Sequence, residues 1–304
     1  MTGPPPVHRW DHVPNPCALV HVVHGMSEHG GRYARLASAL NEAGYIVWAH
    51  DHRGHGGNPM PPVGLGHFGD TDGWRAVVDD AWAVSLAMQA AYPALPLMLF
   101  AHSMGSFVGQ TLMIEHGDAY RAVVLSGSNR SPGALEGVVR TIASLQRRVL
   151  GAHARGMWVH RLVMGKYNGQ FAPCRTTADW LSRDSFEVDR FIADKLCGVP
   201  LTTQSWLDFL HGKRALGRRD LLARIPQALP IRLIAGTRDP VGENGDGVRR
   251  LQELYQSAGL HCVSMKPYEG ARHEVVNETN RDQVTADIVA WFQEVLAVRT
   301  RSCD

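Results

Sequence analysis

The stretch Leu97–Gln110, LMLFAHSMGSFVGQ, constrains the fold more than any other part of this chain. An apolar burst, Leu97 to Phe100, stops at Ala-His-Ser-Met-Gly and gives way at once to small and apolar residues in a helical pattern. The pattern predicts a strand, a very tight turn and a helix, with Ser103 at the apex. So sharp a turn presses backbone against backbone, and the residues two before and two after the serine must be small. Here they are Ala101 and Gly105. A hydroxyl at such an elbow points into a cleft, and the first amides of the following helix face whatever it attacks. The competing reading is a serine N-cap opening a buried helix. Two further residue groups, in a fixed chain order, favour a nucleophile.

The alternation recurs along the chain. Cys17–Val23, CALVHVV, reads as a buried strand ending at His24-Gly25. Tyr33–Ala43 reads as a helix closed by Gly44, and Tyr45–Ala49 as the next strand. A Gly/Pro-rich loop then runs to about Asp70, and Asp72 is placed to cap a helix over Trp74–Ala91. Ala122–Ser126, Ile231–Ala235 and Val263–Pro267 have the length and character of further strands. Asp282–Val295 puts Ile288, Trp291, Phe292 and Val295 on one helical face. Ahead of Cys17 there is room for one strand near His8–His12. Apolar strands alternating with helices specify an α/β fold, a mostly parallel sheet covered on both faces. The 304 residues suffice for one large core and an insertion. Between about Asn129 and Ile225 the alternation breaks and the pattern is helical throughout. The expected division is therefore a core domain of residues 1–128 and 226–304, with 129–225 inserted as a helical cap.

The formal net charge of +2 makes no general demand for nucleic acid. Charge is unevenly spread, however. Residues 129–225 hold sixteen Lys/Arg against eight Asp/Glu, a surplus of +8 that leaves the rest of the chain at −6. A basic surface above an acidic body suggests contact with anionic material such as phospholipid, and an ordinary solvated helical face is the alternative. The cysteines, at 17, 174, 197, 262 and 303, are odd in number and scattered. They read as free thiols of a reducing compartment. The opening MTGPPPVHRWDH lacks the charged-then-apolar pattern of a secretory leader, and no apolar run approaches bilayer-spanning length. The expectation is a soluble cytoplasmic protein.

A serine hydroxyl needs a base within hydrogen-bond reach, and the base needs an orienting carboxylate. In doubly wound hydrolases these partners sit on loops after later strands, in the order Ser, Asp, His. The loop after 231–235 reads GTRDPVG and places Asp239 at a strand's carboxyl end, where sites in open α/β sheets lie. The loop after 263–267 reads YEGARHE and places His273 just before the last helix. Alone, each residue is weak, since loop aspartates usually cap turns. In the right order at three strand ends, they are strong together. Attack on an ester also creates an oxyanion that amide donors must already face. The amide after the serine, Met104, is one such donor. The loop after the early strand, HGMSEHGGRY, offers the amide of Met26 as the second, with Gly25 allowing the turn. The cluster His50-Asp51-His52-Arg53-Gly54-His55 comes within one residue of the binuclear metal pattern H-x-H-x-D-H. Gly54 stands where that pattern needs aspartate, so ligand number and spacing fall short. These residues read instead as shaping the loop.

Six segments in order then become recognisable: HGMSEHGGRY (24–33), DHRGHG (51–56), GHFGDTDGWRAVVDD (66–80), AHSMGS (101–106), GTRDPVG (236–242) and YEGARHEVVNET (268–279). With the cap segment WLSRDSFEVDRFIADKLCG (180–198), the chain resembles the monoacylglycerol lipase and lysophospholipase branch of the α/β-hydrolase superfamily, from about Trp10 to Phe292. The resemblance implies a helical cap over the site, Ser103 as nucleophile, Asp239 as the acid, His273 as the base, and the Met26 and Met104 amides as oxyanion hole. It implies no cofactor and no metal, and a lipid or ester substrate with one acyl chain. Ala101 departs from the commoner glycine at the elbow. A short-chain or xenobiotic carboxylesterase is the competing enzyme, and a non-catalytic ligand-binding protein on the same fold is the reading from another class. Apolar walls for an acyl chain are offered by Val138, Val139, Ile142, Leu145, Met157, Trp158, Leu162, Val163, Trp206, Leu207, Phe209 and Leu210, more of them as cap core than as pocket lining.

Overall fold

The computed structural model describes residues 4–130 and 134–300; Cys303 lies outside them. Seven strands form one sheet in the order β1-β3-β2-β4-β5-β6-β7. They are β1 (Val7–Trp10), β2 (Ala18–Val23), β3 (Tyr45–His50), β4 (Leu97–His102), β5 (Tyr120–Ser126), β6 (Ile231–Gly236) and β7 (Val263–Tyr268). Strand β1 pairs antiparallel with β3, and every other pair is parallel. The strand expected near His8–His12 is thus β1, shifted slightly toward the start of the chain. The helices are α1 (Ala34–Glu42), α2 (Gly73–Ala91), α3 (Met104–His116), α4 (Ala134–Leu150), α5 (Met157–Gly169), α6 (Ser185–Ala193), α7 (Thr203–Ala215), α8 (Arg219–Leu222), α9 (Asp246–Ser257) and α10 (Arg281–Thr300).

The apolar runs are strands because both sheet faces are covered. Along β4, Leu97, Leu99 and Ala101 pack into one core with α2, α3 and α9. Met98 and Phe100, pointing the other way, join α1 and α10 in a second core. A strand buried on both faces needs apolar residues at consecutive positions, and that is why these runs lack polar alternation. Between β5 and β6 the described residues form helices α4 to α8 and no sheet strand, as the broken alternation predicts. No helix among the described residues is long and apolar enough to cross a membrane.

Two local expectations change. The helix read as Tyr33–Ala43 is a 3-10 turn over Gly30–Tyr33 followed by α1. Asp72 occupies the N-cap position of α2 but makes no capping bond. Its backbone is left-handed, at φ 46° and ψ 46°, whereas a capping side chain needs an extended backbone to reach the amides of the first turn.

Candidate active site

Ser103 sits between β4 and α3 at φ 52° and ψ −120°, a conformation costing roughly 1–3 kcal/mol for a residue with a Cβ. The surroundings enforce it. The Ser103 N–H donates to the Ser126 carbonyl at 2.9 Å, and the Ser106 amide and hydroxyl both donate to the Ser103 carbonyl. Gly105 cannot be larger, because a Cβ there would lie 2.3 Å from the carbonyl oxygens of both Val23 and His24. The alanine at 101 is accommodated by a glycine opposite: a Cβ on Gly109 would lie 2.9 Å from the Ala101 Cβ.

The three side chains read from the sequence meet at the carboxyl edge of the sheet. His273 Nε2 lies 2.8 Å from Ser103 Oγ, and His273 Nδ1 lies 3.0 Å from Asp239 Oδ1. Asp239 is fully buried and also accepts from the Val241 N–H at 2.9 Å. A ring whose Nδ1–H donates to the carboxylate has Nε2 free to accept the serine proton. Burial opposes charging of His273, and the Asp239 carboxylate, with Glu274 and Glu28 behind it, outweighs that penalty. The imidazole therefore protonates above the ordinary histidine value.

Met104 is the first residue of α3, so its amide has no partner within the helix. Met26 and Gly25 line the same cavity as Ser103, Met104 and His273. The approach is close, since a Cβ on Gly25 would sit 3.1 Å from the Ser103 Cβ. The cavity encloses about 720 Å³, within the range of small-molecule sites. Of the apolar walls offered by the sequence, Val163, Trp206 and Phe209 line it. Val139 and Leu210 belong to the core, while Val138, Leu145, Trp158 and Leu162 face solvent.

Several residues at the site escaped sequence reasoning. Gly127, at φ 59°, leaves room for His273, because a Cβ there would lie 2.8 Å from the His273 Cε1. Trp180 lays its ring against the His273 imidazole, with centroids 5.0 Å apart. Arg32 is held, partly buried, between two carboxylates. It donates to Glu28 at 2.7 Å and makes a two-pronged pair with Glu274, both arms at 2.7 Å. Glu28 in turn accepts from the Gly25 N–H at 2.5 Å and from the Tyr33 hydroxyl. One guanidinium thereby ties the Gly25–Met26 loop to the loop carrying His273. The only sequence signal was the run EHGGRY, whose charged residues look like ordinary loop polarity until the distant Glu274 is seen beside them. The histidines at 50 and 52 bond to each other and to backbone and side-chain groups around them, as the loop-shaping reading expects.

The chain is similar to several known hydrolases. A monoacylglycerol lipase of Mycolicibacterium smegmatis is 30% identical over 291 residues, spanning 93% of this chain and 90% of its own. The human monoglyceride lipase is 29% identical over 292 residues, covering 94% and 85%. Among solved structures, a thermostable carboxyl esterase from Bacillus coagulans superposes with a TM-score of 0.86 at 29% identity, over 95% of this chain and 94% of that one. The monoacylglycerol lipase of Paleococcus ferrophilus shares the fold, with a TM-score of 0.71 at 23% identity over 96% and 98%. Residues 14–280 match the family described as serine aminopeptidase, S33, and the chain belongs to that family of α/β hydrolases.

Proposed function

We propose that this protein is a carboxylic ester hydrolase that cleaves single-chain lipids, monoacylglycerol or lysophospholipid, through an acyl-enzyme on Ser103. The observation that carries the reading is the hydrogen-bonded file Ser103–His273–Asp239 on the floor of an apolar-walled cavity. His273 takes the proton of Ser103 as Oγ adds to the ester carbonyl carbon. The carbonyl electron pair moves onto oxygen, which the Met26 and Met104 amides receive. Asp239 stabilises the imidazolium, the alcohol departs with the proton from His273, and water repeats the sequence on the acyl-enzyme. Each oxyanion donor contributes about 10²- to 10³-fold in rate.

In this reading residues 129–225 act as a cap whose inner face receives the acyl chain and whose outer face meets lipid. Helix α4 exposes Val138, Leu145, Val149 and Leu150 beside Arg140, Arg147 and Arg148, and the adjoining α5 exposes Trp158 and Leu162 beside Arg161. Apolar and cationic side chains interleaved on exposed helices suit the boundary of an anionic membrane. Replacing Leu145 and Val149 together by serine lowers co-sedimentation with anionic vesicles while hydrolysis of a short soluble ester stays unchanged; equal sedimentation would remove the membrane role. Cys17, Cys174, Cys197 and Cys262 are free, which supports a reducing, cytoplasmic setting.

The test is a substrate panel of p-nitrophenyl esters of graded length beside monoacylglycerol and lysophosphatidylcholine. Rates that climb with acyl length, and turnover of one of the two lipids, support the proposal. Fastest cleavage of the shortest ester with neither lipid turned over points instead to a short-chain carboxylesterase. No turnover at all, and no labelling by a fluorophosphonate, leaves a binding protein.

A further inference from the structure

Behind the site, a file of buried imidazoles runs from the middle of the sheet to the loop that carries Met26. The Tyr120 hydroxyl lies 2.8 Å from Ser85 Oγ, and Ser85 Oγ lies 2.8 Å from His21 Nδ1. His21 Nε2 lies 2.9 Å from His50 Nδ1, His50 Nε2 lies 3.1 Å from His52 Nδ1, and His52 Nε2 lies 3.1 Å from the His24 carbonyl oxygen. All of these side chains are buried. Burial pushes His21 down to about 3 and holds His24, His50 and His52 well below the ordinary value, so the rings are neutral.

Neutral rings leave one direction for every hydrogen bond. A carbonyl oxygen only accepts, so His52 Nε2 carries the proton and its Nδ1 accepts. His50 Nε2 must then donate, which leaves its Nδ1 to accept from His21 Nε2–H. His21 Nδ1 accepts from the Ser85 hydroxyl, and Ser85, its one proton used, accepts from Tyr120. His24 is fixed independently and the other way round. Its Nε2 accepts from the His52 backbone N–H at 3.0 Å, so its Nδ1–H donates to the Gly25 carbonyl at 2.7 Å.

The file ends on two consecutive carbonyls, those of His24 and Gly25. In a trans peptide the carbonyl and the N–H point in opposite directions. Holding the Gly25 carbonyl toward the His24 ring turns the Met26 N–H away from it. The preceding plane is held at both ends, its carbonyl by His52 and its N–H by Glu28. We infer that His24 and His52 are positioning residues that aim the Met26 amide at the oxyanion, and that His21, His50 and Ser85 act behind them by locking His52 as an Nε2–H donor. The inference rests on the reading of Met26 as an oxyanion donor.

Two measurements test it. Long-range nitrogen–proton correlation spectra of the histidine-labelled wild-type protein read each tautomer directly. Nε2–H at His21, His50 and His52 with Nδ1–H at His24 is expected; the opposite tautomer at His52 or His24 overturns the inference, whether or not any variant folds. The second compares His52→Leu, which cannot donate, with His52→Gln, which can. His52→Leu lowers kcat about 10- to 100-fold with KM little changed, and His52→Gln restores most of the loss. The affinity for a long-chain trifluoromethyl ketone, which Ser103 converts to a tetrahedral adduct, falls by the same factor relative to the matching methyl ketone. Full kcat in His52→Leu, or an undiminished trifluoromethyl advantage, overturns the inference alone. A wild-type protein that binds the two ketones equally overturns the oxyanion reading of Met26 and Met104, and the inference falls with it.

Discussion

His273 and the histidines of the β2–β3 file are all buried and differ in whether a carboxylate is among their hydrogen-bond partners. His273 hydrogen-bonds a carboxylate, and its proton affinity rises despite burial. His21 finds only a serine hydroxyl and another imidazole, and burial alone drives its affinity down. His102 is the intermediate case. It lies 4.7 Å from the His273 ring, and burial, with the His273 charge added to it, pushes it down to about 4. One residue type thus takes a proton readily in one place and resists it in the other. The lesson is that histidine identity and depth do not assign chemistry; the acceptor on Nδ1 does.

Removing the counter-charge breaks the contrast most severely. Asp239→Asn leaves His273 without its carboxylate partner, and kcat for ester hydrolysis falls by roughly 10³- to 10⁴-fold, with His273→Ala falling at least as far. Steady-state kinetics on an activated ester measure both, and near-normal turnover by either variant removes that residue from its role.

The next effect comes from geometry with the charges left in place. Gly127→Ala must place a methyl 2.8 Å from the His273 Cε1 at a φ of 59°, so the ring moves. A displacement of that kind costs on the order of 10²-fold in kcat/KM. Thermal unfolding measured beside the kinetics separates the effect from general destabilisation. An unchanged kcat/KM would mean that the ring tolerates the shift.

Gly127 also marks the limit of what the residues alone disclose. Strands β2 to β6 were legible because strands buried on both faces are continuous apolar runs; Ser103 and Asp239 were legible because each stands close after such a run, and His273 because it comes last in the expected chain order, ahead of the final helix. The small residues at 101 and 105 were readable for the same reason, since the turn that needs them is local. Gly127, Trp180, Arg32 and His21 act across the fold on partners far along the chain, and nothing within a few residues of them announces it. Asp72 failed in the opposite sense. Its residue type suits a cap, and only its backbone angles deny it the role.

The smallest effect is one of pH and stability. His21 is pushed to about 3, and His55 and His102 to about 4, mainly by burial. An unfolded chain protonates these residues near 6.5. Between those values the unfolded state holds protons that the native state refuses, so this contribution is complete above about pH 6.5 and is lost as pH falls toward about 4. His273 has the reverse sign: its contribution is present below about 6.5 and fades as pH rises through its raised folded value. Urea midpoints therefore decline from neutral toward acid pH, and His21→Phe flattens the decline. A midpoint independent of pH between about 6.5 and 4 would show that these rings accept protons without opposition.

In the proposed reaction His273, made basic by Asp239, activates Ser103. The most direct test of that step is the rate at which a fluorophosphonate acylates the protein as pH is varied, read as intact mass with the adduct located by peptide mapping. A single adduct on Ser103 is expected, formed at a rate that rises through an inflection above the ordinary histidine value, with that inflection lost in His273→Ala. A rate indifferent to pH, or an adduct on any other serine, would contradict it.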